Sequence, residues 1–127
     1  MKKQINTANA PAAIGPYSQA IETNELIFVS GQLPIDPSTG EFVSGEVAEQ
    51  TAQSLKNGQA ILESRGLSLT NVVKTTVFLS DMNDFGKMNQ VYEQFFNAPY
   101  PARSAFAVKT LPKGALVEIE CIATKEL

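Results

Sequence analysis

The residues best suited to chemistry lie late in the chain: Arg103, then Glu118 and Glu120, each inside a stretch rich in apolar and β-favouring neighbours. An arginine offers a rigid, permanently charged fork that grips a carboxylate through two hydrogen bonds. A glutamate can orient or deprotonate water. Strand alternation puts Arg103, Ala105 and Ala107 on one face, with Ser104, Phe106 and Val108 on the other. In the next stretch Val117, Ile119, Cys121 and Ala123 share a face, and Glu118, Glu120 and Ile122 share its opposite. Charged groups are rarely buried unpaired. Two readings follow. One is a structural pair of Arg103 with Glu118 or Glu120, or a solvated sheet face. The other is a pocket in which Arg103 binds a small anion and a glutamate handles water. Periodicity does not choose between them.

What is missing narrows the chemistry further. The sequence has 127 residues, no His and a single Cys. That excludes Ser-His-Asp or Cys-His machinery, His-based zinc or iron sites, and any intramolecular disulfide. Cys121 reads as an apolar filler with nothing to activate it. Lys+Arg 10 against Asp+Glu 13 give a net charge of -3, with Lys2-Lys3 as the basic cluster. Nucleic acid is therefore not an expected partner, because counterion release needs several basic residues on one face. No nucleotide fingerprint is present, and no cofactor or metal is expected. No apolar run is long enough for a bilayer, and the polar N-terminus has no signal core, so a soluble, cytoplasmic protein is the expectation.

Weaker candidates surround these. Tyr17 follows the loop Asn9-Ala-Pro-Ala-Ala-Ile-Gly-Pro-Tyr17 and reads equally as a core aromatic. Ser30 and Gly31 end an apolar run, where Gly31 either exposes backbone to a ligand or makes a turn. Asn89 falls on a helical stretch beside Met88, where an asparagine is usually just an exposed polar residue.

These residues need elements to hold them. Leu26 to Ser30 and Val72 to Leu79 favour strands; Gln19 to Ile21 reads as a strand before the first, and Lys3 to Ile5 as a weak one. Val47, Thr51, Leu55, Gly58 and Leu62 recur three or four apart, predicting an amphipathic helix from Glu46 to Gly66. A second helix is expected from Phe85 to Phe96, capped by Asn83 or Asp84 and stopped by Pro99 and Pro101. Strands near Arg103 to Val108 and Leu116 to Lys125 close a single domain, residues 1–127. The class is α+β: two helices on one face of a mixed sheet. Leu26-Ile-Phe-Val29 and Val77-Phe-Leu79 are apolar at both parities, so the uncovered face should meet another copy.

Read with the opening loop, these stretches resemble the reactive intermediate deaminase (RidA, or YjgF-type) family, also called the endoribonuclease L-PSP family. The matching segments are Ala10-Pro-Ala-Ala-Ile-Gly-Pro-Tyr-Ser18, Phe28-Val-Ser-Gly-Gln-Leu-Pro34, Val73-Lys-Thr-Thr-Val-Phe-Leu79 and Asn83-Asp-Phe85. Pro101-Ala-Arg-Ser104 is the most specific; Leu111-Pro-Lys-Gly-Ala115 and Val117-Glu-Ile-Glu120 follow. The resemblance implies a chorismate-mutase-like fold in a homotrimer with a central barrel and clefts between subunits. It implies cofactor-free hydrolysis of 2-imino acids, such as 2-iminobutanoate and 2-iminopropanoate, to 2-oxo acids and ammonia.

Carried over by position, Arg103 matches the carboxylate-binding arginine and Glu118 the glutamate that positions water. Tyr17 matches a cleft tyrosine contributed across the interface; Ser30, Gly31 and Asn89 line the same pocket. The backbone at Ala105 matches a carbonyl contact. Many relatives carry Cys there; this chain has Ala105, so no thiol serves at that position. The competing functions are a non-enzymatic, 2-oxo-acid-sensing regulatory trimer and a ribonuclease or translation inhibitor.

Overall fold

A computed structural model describes residues 1–127. The strands are β1 (Lys3–Ile5), β2 (Ala20–Glu22), β3 (Leu26–Gln32), β4 (Val72–Leu79), β5 (Ala102–Ala107) and β6 (Val117–Thr124). The helices are α1 (Val47–Glu63), between β3 and β4, and α2 (Phe85–Phe95), between β4 and β5. All six strands join one sheet in the order β1-β2-β3-β6-β4-β5. Every pairing is antiparallel except β4 with β5. A parallel pair needs a crossover, and α2 supplies it.

The periodic residues do what their spacing demands. Val47, Thr51, Leu55, Gly58 and Leu62 are all buried along α1. Gly66 has φ +75°, the left-handed geometry that lets the chain leave the helix. Met88 and Tyr92 are the buried residues of α2. Its first turn differs from expectation: Asp84 makes no side-chain cap, and Asp81 accepts from the Asn83 amide one short turn earlier. β3 also runs past Gly31 to Gln32, with its pairing to β6 broken between Val29 and Gln32.

One face of the sheet and both helices enclose the core, where Ile27, Val77, Leu79 and Val117 meet Ile61, Leu62 and Met88. Each such side chain contributes roughly 1.5–3 kcal/mol by leaving water. The opposite face stays uncovered and mixes large apolar with polar side chains: Phe28 and Phe106 are 43% and 45% exposed, Phe106 meets Phe78 edge to face, and Lys74 donates to Ser104. Exposed large apolar side chains on a sheet face are a common feature of association surfaces.

Three buried polar side chains, none foreseen from sequence, fix the loops near the site. Gln19 accepts from the Thr7 amide and donates to the Ala10 and Pro11 carbonyls, ordering the loop that ends at Tyr17. Asn57 donates to the Leu33 and Ile35 carbonyls, holding the chain just after β3 against α1. Glu22 pairs with Arg65 at 2.8 Å and Lys125 at 2.6 Å, tying β2 to the ends of α1 and β6.

Candidate active site

Arg103 projects from β5, a strand at the sheet edge, opposite Thr75 of β4. That register places its side chain on the helix-covered face, under α2. Its Nη1 donates to Asn89 Oδ1 at 2.7 Å. Its guanidinium carbon stands 4.7 Å from the centre of the Tyr92 ring and 5.5 Å from that of Phe85. No acidic side chain pairs with it, and it remains exposed. A guanidinium carries five N–H donors; here one donates to Asn89, and Arg103 makes no other side-chain hydrogen bond. The adjoining cleft, about 440 Å³, is lined by Asn89, Tyr92, Glu93, Tyr100, Pro101 and Arg103. Ala105 follows on the same face, half-buried against the core.

Glu118 projects from β6 to the other face. Across β4 it stands opposite Phe78, and Glu120 stands opposite Thr76. Parity therefore separates both glutamates from Arg103, which lies opposite Thr75. The Arg103–Glu118 or Arg103–Glu120 ion pair left open by the sequence does not form. Both parities were legible, but the register that relates β5 to β6 through β4 was not.

Glu118 lies against Gly31: a Cβ built there would sit 2.6 Å from Glu118 Oε2. Any side chain at Gly31 would displace the carboxylate, so close approach is the reason for glycine at this point in β3. Burial pushes the Glu118 carboxyl above the usual range, and the Glu120 charge adds to the shift. Ser30 Oγ donates to the Ser18 carbonyl at 2.6 Å, fastening β3 to the opening loop. Tyr17 is 52% exposed, an accessible aromatic and not a core one. It lines a hollow of about 70 Å³ with Gly31, Gln32 and Lys113.

The chain thus carries two groups. Arg103, Asn89 and Ala105 lie on the α2 side; Glu118, Gly31, Ser30 and Tyr17 gather near the end of β3. One chain does not bring the two groups together. Sequence reading missed Tyr92 and Phe85 as neighbours of Arg103. Their signal was present: Phe85, Asn89 and Tyr92 are spaced i, i+4, i+7, one helix face. Cys121 is half-buried on the core face, and burial pushes its thiol up to about 12, which keeps it protonated at neutral pH. A larger hollow of about 630 Å³, between the end of α2 and the turn before β4, holds no charged side chain. No three His, Cys, Asp or Glu side chains converge to hold a metal, and no helix is long and apolar enough to cross a membrane.

Residues 7–125 match the endoribonuclease L-PSP family profile, and the chain belongs to that family, the YjgF/RidA proteins. A RutC family protein of Pyrococcus horikoshii is 56% identical over 126 residues, covering 99% of this chain and 100% of that protein. The human 2-iminobutanoate/2-iminopropanoate deaminase is 52% identical over 123 residues, 97% of this chain and 90% of that one. The crystal structure of Escherichia coli TdcF with bound serine superposes with a TM-score of 0.93 at 46% identity, covering 97% of this chain and 98% of that chain.

Proposed function

We propose that this chain forms a homotrimer that hydrolyses 2-imino acids, such as 2-iminobutanoate and 2-iminopropanoate, to 2-oxo acids and ammonia. The observation that carries the reading is Arg103: an exposed guanidinium, oriented by Asn89 and unpaired with any acid. Such a group suits a small carboxylate. Deaminase relatives at about 52% identity support the choice of carboxylate.

Because Arg103 and Glu118 lie on opposite faces of one sheet, a common site requires Glu118 of one subunit to face Arg103 of the next. The exposed Phe28 and Phe106 on the open face support such an assembly. Arg103 would bind the substrate carboxylate, with Asn89 and the Ala105 backbone beside it. Tyr17, Ser30, Gly31 and Glu118 would close the cleft from the neighbouring copy.

An iminium carbon is already electrophilic, so water attack needs orientation more than a strong base. Water oxygen bonds to C2 while Glu118 holds its proton, giving a carbinolamine. Glu118 passes that proton to nitrogen, the C–N bond breaks as the hydroxyl proton returns to the Glu118 carboxylate, and a 2-oxo acid and ammonia result. No electron changes hands, and no cofactor is required.

The test generates 2-iminobutanoate from threonine with a dehydratase and follows 2-oxobutanoate against trapping by semicarbazide. The protein should divert the imine to 2-oxobutanoate, and sedimentation should give three times 13.7 kDa. No diversion, or full diversion by Arg103→Ala, overturns the reading. A second reading, a trimer that senses 2-oxo acids without turnover, draws on the serine-bound relative; calorimetric binding of 2-oxobutanoate without imine hydrolysis would establish it. RNA cleavage that persists through purification and vanishes in Arg103→Ala would favour the ribonuclease.

A further inference from the structure

The geometry points to Tyr92 as the residue that positions Arg103, acting through its ring face. This rests on the carboxylate-binding reading of Arg103 and adds a residue to it.

An arginine at an exposed strand edge has several rotamers, and a ligand that must freeze them binds more weakly. Here α2 limits that freedom before any ligand arrives. Asn89 holds one Nη, and the guanidinium carbon stands 4.7 Å from the Tyr92 ring centre, inside cation–π range. Phe85 adds a second, more distant ring at 5.5 Å. Leaving the outer N–H groups free matters, because a carboxylate needs two parallel donors.

Tyr92 is itself held from two sides. Its hydroxyl shares a buried hydrogen bond of 2.8 Å with the Thr75 hydroxyl. Thr75 is fully buried and directly opposite Arg103 in the β4–β5 register, so one strand pair sets both ends of the contact. Phe96 packs on the ring, with centres 4.6 Å apart. Burial raises the phenol above its usual range, so it stays neutral and attracts Arg103 through its π-face without cancelling the charge. A structural tyrosine would need only the core contacts. This one also presents its face to an exposed, unpaired cation.

The experiment compares Tyr92→Leu, Tyr92→Phe, a trifluorinated phenylalanine at position 92, and Phe96→Leu. Phe96 touches Tyr92 but is not in cation–π contact with Arg103, so its variant reports core loosening alone. Tyr92→Leu should raise KM for the imino acid roughly three- to tenfold, with kcat within about twofold, as expected for a lost cation–π contact. Tyr92→Phe should keep KM within about twofold. The trifluorinated ring, nearly the same shape with its quadrupole withdrawn, should raise KM toward the leucine value, which a purely structural role would not do. If Tyr92→Leu fails to fold, the Phe and trifluorinated pair decides alone.

A second readout does not depend on turnover. The Arg103 Nε–H order parameter, measured by NMR without ligand, should fall below about 0.6 in Tyr92→Leu and stay rigid in Tyr92→Phe. An unchanged KM, equal KM shifts in Tyr92→Leu and Phe96→Leu, or a rigid Arg103 in Tyr92→Leu overturns the inference. If the wild type hydrolyses no imine, the deaminase reading fails instead, and the NMR comparison alone decides Tyr92.

Discussion

Glu22 and Glu118 are the same residue type in two strands of one sheet, and the chain treats them in opposite ways. Glu22 is answered on the spot. Lys125 and Arg65 hydrogen-bond its carboxylate and hold its pKa down at about 2. Glu118 receives no cation from its own chain, stands beside a second carboxylate, and is pushed upward by burial. The arginines divide in parallel: Arg65 closes an ion pair, whereas Arg103 rests on an asparagine and two aromatic rings. A charge fully paired within the fold serves the fold. A charge oriented by the fold and left unpaired is available to a ligand or a neighbouring subunit.

The contrast can be broken by substitution. Arg103→Ala should show the largest effect, a fall in kcat/KM of roughly 10²–10⁴ from losing two charge-assisted hydrogen bonds, with the melting temperature nearly unchanged. Steady-state kinetics beside a thermal melt checks both halves. Glu118→Gln should lower kcat by about 10²–10³ with little change in KM, and it should abolish the acid limb of the pH–kcat profile. In the wild type that limb should lie above the ordinary glutamate value, because the folded carboxyl is harder to ionise.

Glu22→Gln should do the reverse: leave kcat/KM alone and cost about 1–2 kcal/mol of stability, a range reduced for partly exposed partners. The sign follows from its depressed pKa. The contribution is fully present above about pH 5 and is lost as pH falls toward 2. Chemical denaturation across that range should show wild-type stability declining and Glu22→Gln changing less. The smallest effect belongs to Glu120→Gln. Removing that charge should move the acid limb of kcat downward by less than about one pH unit, since Glu120 is the lesser cause of the Glu118 shift.

Much of this architecture was legible in the residues. The five-residue stripe of α1 is buried throughout, and the expected strands lie within two residues of their predicted ends, because local periodicity and β-branching act within a few residues. The apolar residues at both strand parities foretold a second face with no cover. Chemistry was harder to read. Arg103 and Glu118 stood out as charges among apolar neighbours, yet their separation onto opposite faces depends on β6 entering between β3 and β4. Glu22, Arg65 and Lys125 gave no local signal at all, lying 43 and 60 residues apart in the chain.

Residue types and short-range spacing were enough to settle which elements form, the exclusion of histidine chemistry, and the candidates Arg103 and Glu118. Those properties rest on side-chain chemistry and on contacts within a turn or two. Register, strand order and loop docking rest on pairings between distant segments, which no local pattern encodes. They put Tyr92 beneath Arg103, brought Gly31 against Glu118, and left the two charges on opposite sides of one sheet.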